Sequence, residues 1–232
     1  MQNEKVANYV KTSNSNLPEY KFGSTQVLVQ SPLPKDINLE HVFYEVNNAL
    51  PEHFVNLVDV VYIGKFDFLK VKNFNAMYSD GALYISNEQD NNSDFKDDIV
   101  HEIAHAVEEK YKQFLYEDES IQNEYFGKMK KLKNYMSYDK IDIRGVNFFN
   151  TEYNEDFDNF IYSGIGYQGM SKYTSSLFLA PYSITSLKEY FARAFEEFFL
   201  GNKAYLKTIC PYVYIKITLL SENNVEITNY EY

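Results

Sequence analysis

Two histidines and a glutamate, His101, Glu102 and His105, have the spacing His-Glu-x-x-His. In an α-helix each residue turns by about 100°, so positions four apart share a face and their two imidazoles can converge on one metal ion. Glu102 then lies close enough to act on a water molecule at that ion. Imidazoles are common Zn²⁺ ligands, and a glutamate at this position is the general base of many metalloproteases. The motif predicts a zinc site with hydrolytic chemistry.

The residues around the motif predict that it is buried. From Ile99 to Val107, all residues except the two histidines and the glutamate of the motif are apolar. Buried ionisable groups are destabilising unless they are paired or bound to a metal. Because the chain has only 4 histidines, an accidental match is rare, and we favour a metal site over a purely structural role.

The third zinc ligand is not a histidine of the extended motif, since that position is Tyr111 and the preceding glycine position is Glu108. The two remaining histidines, His41 and His53, lie far upstream and are interpreted as ordinary surface or core residues. A downstream carboxylate is left as the third ligand.

Three glutamates of a predicted helix at 186–200 are candidates for that ligand: Glu189, Glu196 and Glu197. Glu189 borders the apolar face of this helix. It could instead form a surface ion pair with Arg193, four residues later. Spacing alone does not choose among these alternatives.

These segments resemble the lethal-factor-type zinc peptidases, a family that includes the anthrax lethal factor catalytic domain and the Pro-Pro endopeptidases. The stretch 101–107 resembles their active-site helix, and Glu189 followed by Tyr190 and Phe191 resembles the helix that supplies their third zinc ligand. Cys210-Pro211 resembles the start of the last helix in the Pro-Pro endopeptidases. The resemblance covers roughly residues 80–116 and 178–220.

The resemblance implies a zinc endopeptidase with a zincin-like fold. It implies that His101, His105 and Glu189 bind zinc and that Glu102 is the catalytic base. Tyr182, seven residues before Glu189 as in the family, would donate a hydrogen bond to the oxyanion.

The same family binds its substrate along a sheet edge, and residues 81–86 are the matching strand. Ala82 and Tyr84 are therefore the substrate-binding candidates, since a peptide could add there as a further strand. The alternative is that 81–86 form an interior strand.

The chain departs from the family in the interval from His105 to Tyr182, which is 77 positions long and implies an insert at about 120–175. The insert could restrict substrate entry, bind a partner or act as a lid, so no preference for proline is carried across. A rival hypothesis is a catalytically silent, zinc-stabilised binding or scaffold protein that acts through this insert. Glu102 and Tyr182 speak against it, because neither ligates the metal. A deformylase would need a cysteine ahead of the motif, and Cys210 follows it.

The elements that must position these residues predict an α+β fold, with a small mixed sheet and an active-site helix packed against a mostly helical C-terminal lobe. We predict strands at 25–30, 55–63, 66–71 and 81–86, and helices at 39–50, 94–115, 186–200 and 211–220. Residues 1–20 are predicted to be a flexible leader, and 21–232 a single domain whose lobes divide near 115. Weak periodicity from 120 to 180 and the glycines at 164–169 predict a flexible surface segment there.

Composition narrows the partners. With 33 acidic and 22 basic residues the net charge is -11, which argues against nucleic acid and anionic membranes. No run approaches the roughly 18 apolar residues of a membrane span. We expect a peptide or protein substrate. The N-terminal residues lack a secretory signal, as in a cytoplasmic or a mature secreted protein, and the single cysteine permits no internal disulfide.

Overall fold

The computed structural model of the protein describes residues 19–222. The fold is α+β, as predicted. The chain divides into two compact units between Ala106 and Val107. The sequence placed this boundary near 115. The observed boundary lies earlier, inside the helix that carries the two histidines of the motif.

The first unit contains a five-stranded mixed sheet with the strand order β1-β2-β3-β5-β4. Its strands are β1 (Glu19–Phe22), β2 (Thr25–Val29), β3 (Val60–Gly64), β4 (Ala76–Ser79) and β5 (Ala82–Ser86). The central pairs β2–β3 and β3–β5 are parallel, whereas β1–β2 and β4–β5 are antiparallel. β5 is therefore an interior strand, and β4 forms one edge of the sheet.

The sheet of the first unit has one buried face, because alternate strand residues point to the same side. Val61, Ile63, Leu83 and Ile85 are fully buried, whereas Tyr62 and Tyr84 between them are partly exposed and stack on each other. Between residues 19 and 91 the unit also has three helices: α1 (Leu39–Ala49), α2 (Glu52–Val55) and α3 (Asp67–Lys72). α1 begins at the Asn38 cap and ends before Pro51, as the sequence predicted.

Several predictions for the first unit were wrong. Residues 66–71 were predicted as a strand, but they belong to α3, whose first turn contains Asp67 and which ends at left-handed Asn73. The strand predicted at 55–63 begins only at Val60, because α2 ends at Val55 and residues 56–59 form an irregular turn. β4 was not predicted at all. The leader predicted at 1–20 lies outside the described residues except for its last two, which start β1.

The second unit is helical, as predicted for the C-terminal lobe. After α4 (Asn92–Lys110), which crosses the boundary, its helices are α5 (Lys112–Tyr116), α6 (Ser120–Tyr138), α7 (Glu155–Asn159), a π-helix (Phe160–Ile165), α8 (Tyr167–Thr174), a 3₁₀-helix (Pro181–Ile184), α9 (Leu187–Leu200), α10 (Lys203–Ile209) and α11 (Pro211–Ser221). The segment predicted to be flexible at 164–169 lies in the π-helix and α8. Between residues 19 and 222, no helix is long and apolar enough to cross a membrane.

A buried polar network ties three helices of the second unit together. Lys128 of α6 donates from Nζ to the Tyr190 hydroxyl at 2.5 Å and to the Ile209 carbonyl at 2.6 Å. The Tyr190 hydroxyl in turn donates to Glu124 Oε1 at 2.7 Å. Cys210 lies beside Lys128 and is fully buried, and burial raises the pKa of its thiol. This network anchors α9, which carries Glu189.

Candidate metal centre

The helix α4 presents the motif from a well-defined N-terminus. The Asn91 side chain accepts a hydrogen bond from Asp94 N at 3.0 Å and donates one to the Asp94 carboxylate at 2.9 Å. Asp94 also places negative charge in the first turn, where the helix dipole favours it. Beyond this cap, apolar side chains of α4 are buried, including Phe95, Ile99, Val100, Ile103 and Ala104. Their packing fixes the face of the helix on which the motif lies.

The structure brings His101, Glu102 and His105 together. One ligand atom from each side chain lies within 4.8 Å of the other two, and the imidazole centroids are 4.9 Å apart. Both histidines are partly exposed, whereas Glu102 is only 8% exposed. Among residues 19–222 this is the only group of three or more histidine, cysteine or carboxylate side chains gathered so closely.

The donor set fits a zinc ion better than a hard cation. Two imidazole nitrogens suit Zn²⁺ and other transition metal ions, and Zn–N bonds are about 2.1 Å long. Mg²⁺ and Ca²⁺ prefer sets made of oxygen atoms. His101 and His105 would therefore hold the ion.

The Glu102 carboxylate is held by the sheet edge. Its Oε2 atom accepts a hydrogen bond from the backbone N–H of Tyr78, in β4, at 2.6 Å. In the β4–β5 pair, Ser86 N donates to Asn75 O, and hydrogen-bonded pairs alternate along an antiparallel ladder. The backbone groups of Tyr78 therefore point away from β5, toward the outer edge, where Glu102 meets them.

The edge position of residues 81–86 was wrong, and the alternative of an interior strand is confirmed. β5 pairs with β3 on one side and with β4 on the other, so its backbone is already used by the ladder. A peptide cannot add as a strand beside Ala82 and Tyr84. The outer edge next to the motif belongs to β4, which sequence reasoning missed.

A signal for β4 was present in the sequence. Asp80-Gly81 is a two-residue turn with φ of 50° at Asp80 and 80° at Gly81, and an Asp-Gly pair favours this hairpin geometry. A side chain at Gly81 would also collide with Asp59, since an added Cβ would lie 2.4 Å from Asp59 Oδ2. The pair identifies Ala76–Ser79 as the partner strand of β5.

Tyr182 and Glu189, the other predicted site residues, lie in the second unit. Glu189 is in the first turn of α9, where its N–H donates to the capping Ser186 hydroxyl at 3.2 Å. Tyr182 is in the 3₁₀-helix that precedes α9. Burial raises the pKa of Tyr182, and the negative charges of Glu189 and Asp158 raise it further. Tyr182 therefore keeps its hydroxyl proton at neutral pH and can donate it in a hydrogen bond.

The alternative ligands of α9 are engaged elsewhere. Glu196 pairs with Arg193, and Glu197 Oε1 accepts a hydrogen bond from Asn202 N at 2.8 Å beyond the end of the helix. Arg193, which the sequence offered as a surface partner of Glu189, thus forms an ion pair with Glu196.

Sequence reasoning also missed the neighbours of Tyr182. The ring of Tyr167 lies against the Tyr182 ring, with centroids 5.8 Å apart, and the Tyr167 hydroxyl donates to Asp158 Oδ1. Tyr153 donates to the other oxygen of Asp158 at 2.9 Å. These three residues fall in the segment that the sequence treated only as an insert, and their polar contacts are not visible in its periodicity.

Comparisons of the chain with protein-family models, with curated proteins and with solved structures found no match.

Proposed function

We propose that the protein is a zinc-dependent endopeptidase in which His101, His105 and Glu189 bind the metal. The observation that carries the proposal is the cluster of His101, Glu102 and His105, with ligand atoms within 4.8 Å of one another. A buried glutamate beside two imidazoles has an obvious use if it acts on a water molecule, and a metal explains why the imidazoles converge. The lethal-factor-like pattern of residues around both helices supports the same assignment.

Zinc, when bound, supplies Lewis-acid activation of water and of the scissile carbonyl. Glu102 takes a proton from the attacking water at its carboxylate and passes it to the leaving amine. Tyr182 donates its hydroxyl hydrogen to the oxyanion that develops on the substrate carbonyl.

The substrate strand is assigned to β4 instead of β5. An extended peptide would add along the outer side of this edge strand through main-chain hydrogen bonds, as in β-augmentation. The outward-facing N–H of Tyr78 is already bound to the Glu102 carboxylate, so a peptide would have to displace Glu102 from this donor or pair with the other outward-facing groups of β4. A peptide on this edge would therefore run past the general base.

A contact within the second unit supports Glu189 as the third ligand. Glu108, one turn beyond His105 on α4, is 3% exposed, and its Oε2 lies 3.8 Å from Lys188 Nζ. Lys188 directly precedes Glu189 at the start of α9. The ion pair joins the C-terminal end of α4 to the start of α9 within the second unit.

The central test compares Glu102→Gln with the wild type. Glutamine keeps an oxygen that can accept the Tyr78 N–H, so the fold and the zinc content should be retained. It cannot take a proton, so kcat for cleavage of a peptide library should fall about a thousandfold. Zinc is measured by elemental mass spectrometry and cleavage by peptide mass spectrometry, with and without a chelator.

Glu109→Gln is the matched control, because Glu109 is an exposed glutamate on the same helix. It should cleave and bind zinc like the wild type. Undiminished turnover by Glu102→Gln would reject Glu102 as the base. If wild-type protein prepared with excess zinc bound no metal, the metal site itself would be rejected.

The second candidate function, a catalytically silent zinc-stabilised binding or scaffold protein, is favoured by one observation. The hydrogen bond from Tyr78 N gives Glu102 a structural role that needs no turnover. In that case the wild type would cleave no peptide, while removal of zinc would still lower its melting temperature.

A further inference from the structure

The segment 153–167, which lies within the predicted insert, packs against the proposed oxyanion donor. We propose that Asp158, through Tyr167, positions the Tyr182 ring, with Tyr153 as a second support on Asp158. The inference rests on the proposed function, since it gives Tyr182 a catalytic task. If it holds, the segment 153–167 is part of the active site and not only an insert.

The Tyr167 ring is fixed at both of its ends. Its ring contacts the Tyr182 ring at a centroid distance of 5.8 Å and an interplanar angle of 57°, within the range of favourable aromatic pairs. Its hydroxyl donates to Asp158 Oδ1, while Asp158 Oδ2 accepts the hydrogen bond from Tyr153. Hydrogen bonds to a carboxylate are stronger than those between neutral groups. Asp158 therefore fixes Tyr167, and Tyr167 limits where the Tyr182 ring can lie.

An irregular backbone brings Asp158 and Tyr167 together. The two are nine residues apart, and a continuous α-helix would separate them by about 13 Å along its axis. Instead α7 passes into the π-helix Phe160–Ile165, and Gly166 with φ of 79° turns the chain before α8. π-Helical turns are rare and are frequent at functional sites. Here this turn allows the Tyr167 hydroxyl to reach the Asp158 carboxylate.

Tyr182 needs such support because its own backbone element is short. The 3₁₀-helix Pro181–Ile184 has four residues, and Thr185 Oγ1 donates to the Tyr182 carbonyl at 2.9 Å. The bond to the carbonyl fixes the main chain, and the Tyr182 side chain is held by its neighbours Thr185 and Tyr167. A displacement of about 1 Å in a catalytic group can cost up to a hundredfold in rate.

The test is a double-mutant cycle between Tyr167→Phe and Tyr182→Phe. Tyr182→Phe should lower kcat about a hundredfold, as for loss of one oxyanion donor. Tyr167→Phe keeps the ring but removes the donor to Asp158, so it should lower kcat about tenfold with little change in KM. In the Tyr182→Phe background it should have no further effect, because the positioned hydroxyl is already absent.

Tyr205→Phe is the matched control. It also removes a tyrosine hydroxyl that donates a hydrogen bond in the second unit, to the Ser175 carbonyl at 3.2 Å, but outside this network. It should leave kcat unchanged. Asp158→Asn, which removes one of the two acceptor oxygens, should lower kcat like Tyr167→Phe.

A second measurement does not depend on activity. In protein with ¹³C-labelled tyrosine rings, the Tyr182 signal is identified by its loss in Tyr182→Phe. That signal should shift in Tyr167→Phe and in Asp158→Asn, and should not shift in Tyr205→Phe. An unshifted Tyr182 signal in the first two variants overturns the positioning role.

The outcomes separate the two proposals. An active wild type in which the effects of Tyr167→Phe and Tyr182→Phe on kcat multiply overturns the positioning role and leaves the endopeptidase in place. A zinc-loaded wild type that cleaves no peptide overturns the endopeptidase and, with it, the catalytic meaning of the network.

Discussion

Glu102 and Tyr182, the proposed base and the proposed oxyanion donor, are held in different ways. Glu102 is held by a backbone N–H of β4, whose direction is set by strand register. Tyr182 is held by side chains, Tyr167 directly and Asp158 behind it. A backbone contact tolerates most side chains at position 78, whereas the side-chain contact depends on the identity of each member. The first unit should therefore be sensitive to backbone changes, and the second to single side-chain replacements.

The largest expected effect on stability tests the side-chain region. Lys128→Met in α6 removes the donor to the Tyr190 hydroxyl and to the buried Ile209 carbonyl. Leaving these groups without their partner should lower the free energy of unfolding by about 2 kcal/mol, measured by urea denaturation. Lys131→Met, at an exposed position of the same helix, is the control and should change it little. Equal stability of the two variants would contradict the importance of the network.

The next effect tests the backbone contact. Tyr78→Pro removes the N–H that binds Glu102, and proline is tolerated on edge strands where the missing N–H faces outward. The variant should fold but lose about tenfold in kcat, because Glu102 is less well positioned. Tyr78→Phe keeps the N–H and should retain full turnover. If Tyr78→Phe lost more turnover than Tyr78→Pro, the side chain of residue 78 and not its backbone N–H would position Glu102.

A smaller effect is expected at the hairpin that sets the β4–β5 register. Gly81→Ala places a side chain at φ of 80° and close to Asp59. The strain should lower the free energy of unfolding by about 1 kcal/mol. Gly127→Ala is the control, since an added Cβ there meets no atom within 4 Å and Gly127 lies inside α6. Thermal unfolding should show a lower melting temperature for the first variant only.

The smallest effect is a pH dependence in the second unit. Hydrogen bonds from Lys216 and Ser120 lower the pKa of Asp118 to about 2. Because the unfolded pKa is about 4, the ion pair stabilises the fold above pH 4, and this contribution is lost as the pH falls toward 2. Acid titration of the unfolding free energy should be flatter in Asp118→Asn than in the wild type. Glu117→Gln, which removes an exposed neighbouring carboxylate and leaves the Asp118 ion pair in place, is the matched control.

The sequence predicts best those structural features whose physical cause lies in nearby residues of the chain. The helix α9 was predicted correctly because Ser186 caps it and its apolar residues recur at helical spacing. The motif helix was recognised from the capping residues at 91–94 and from the apolar residues of its middle. The α3 segment was misassigned because apolar residues at 66, 68, 69 and 71 fit a strand as well as a helix. Asn73 in the left-handed conformation ends the helix there, and an asparagine at that point was the missed signal.

The insert was underestimated because its apolar positions are carried by tyrosine and methionine. In α6 the buried positions Ile121, Tyr125, Met129, Leu132 and Met136 recur every three or four residues, so a helix was readable once these residues were counted as apolar. The contact of Tyr167 with Asp158 was not readable. It depends on a π-helix and on the φ of Gly166, which no periodicity encodes.

The buried thiol of Cys210 gives a way to follow one unit by itself. It is the only cysteine of the chain and is fully buried in the second unit, where burial raises its pKa. A thiol reagent can therefore modify it only when this region opens, since the reactive thiolate is both shielded and disfavoured. The rate of labelling thus reports opening around α11 without an introduced probe, and it does not report opening of the sheet in the first unit.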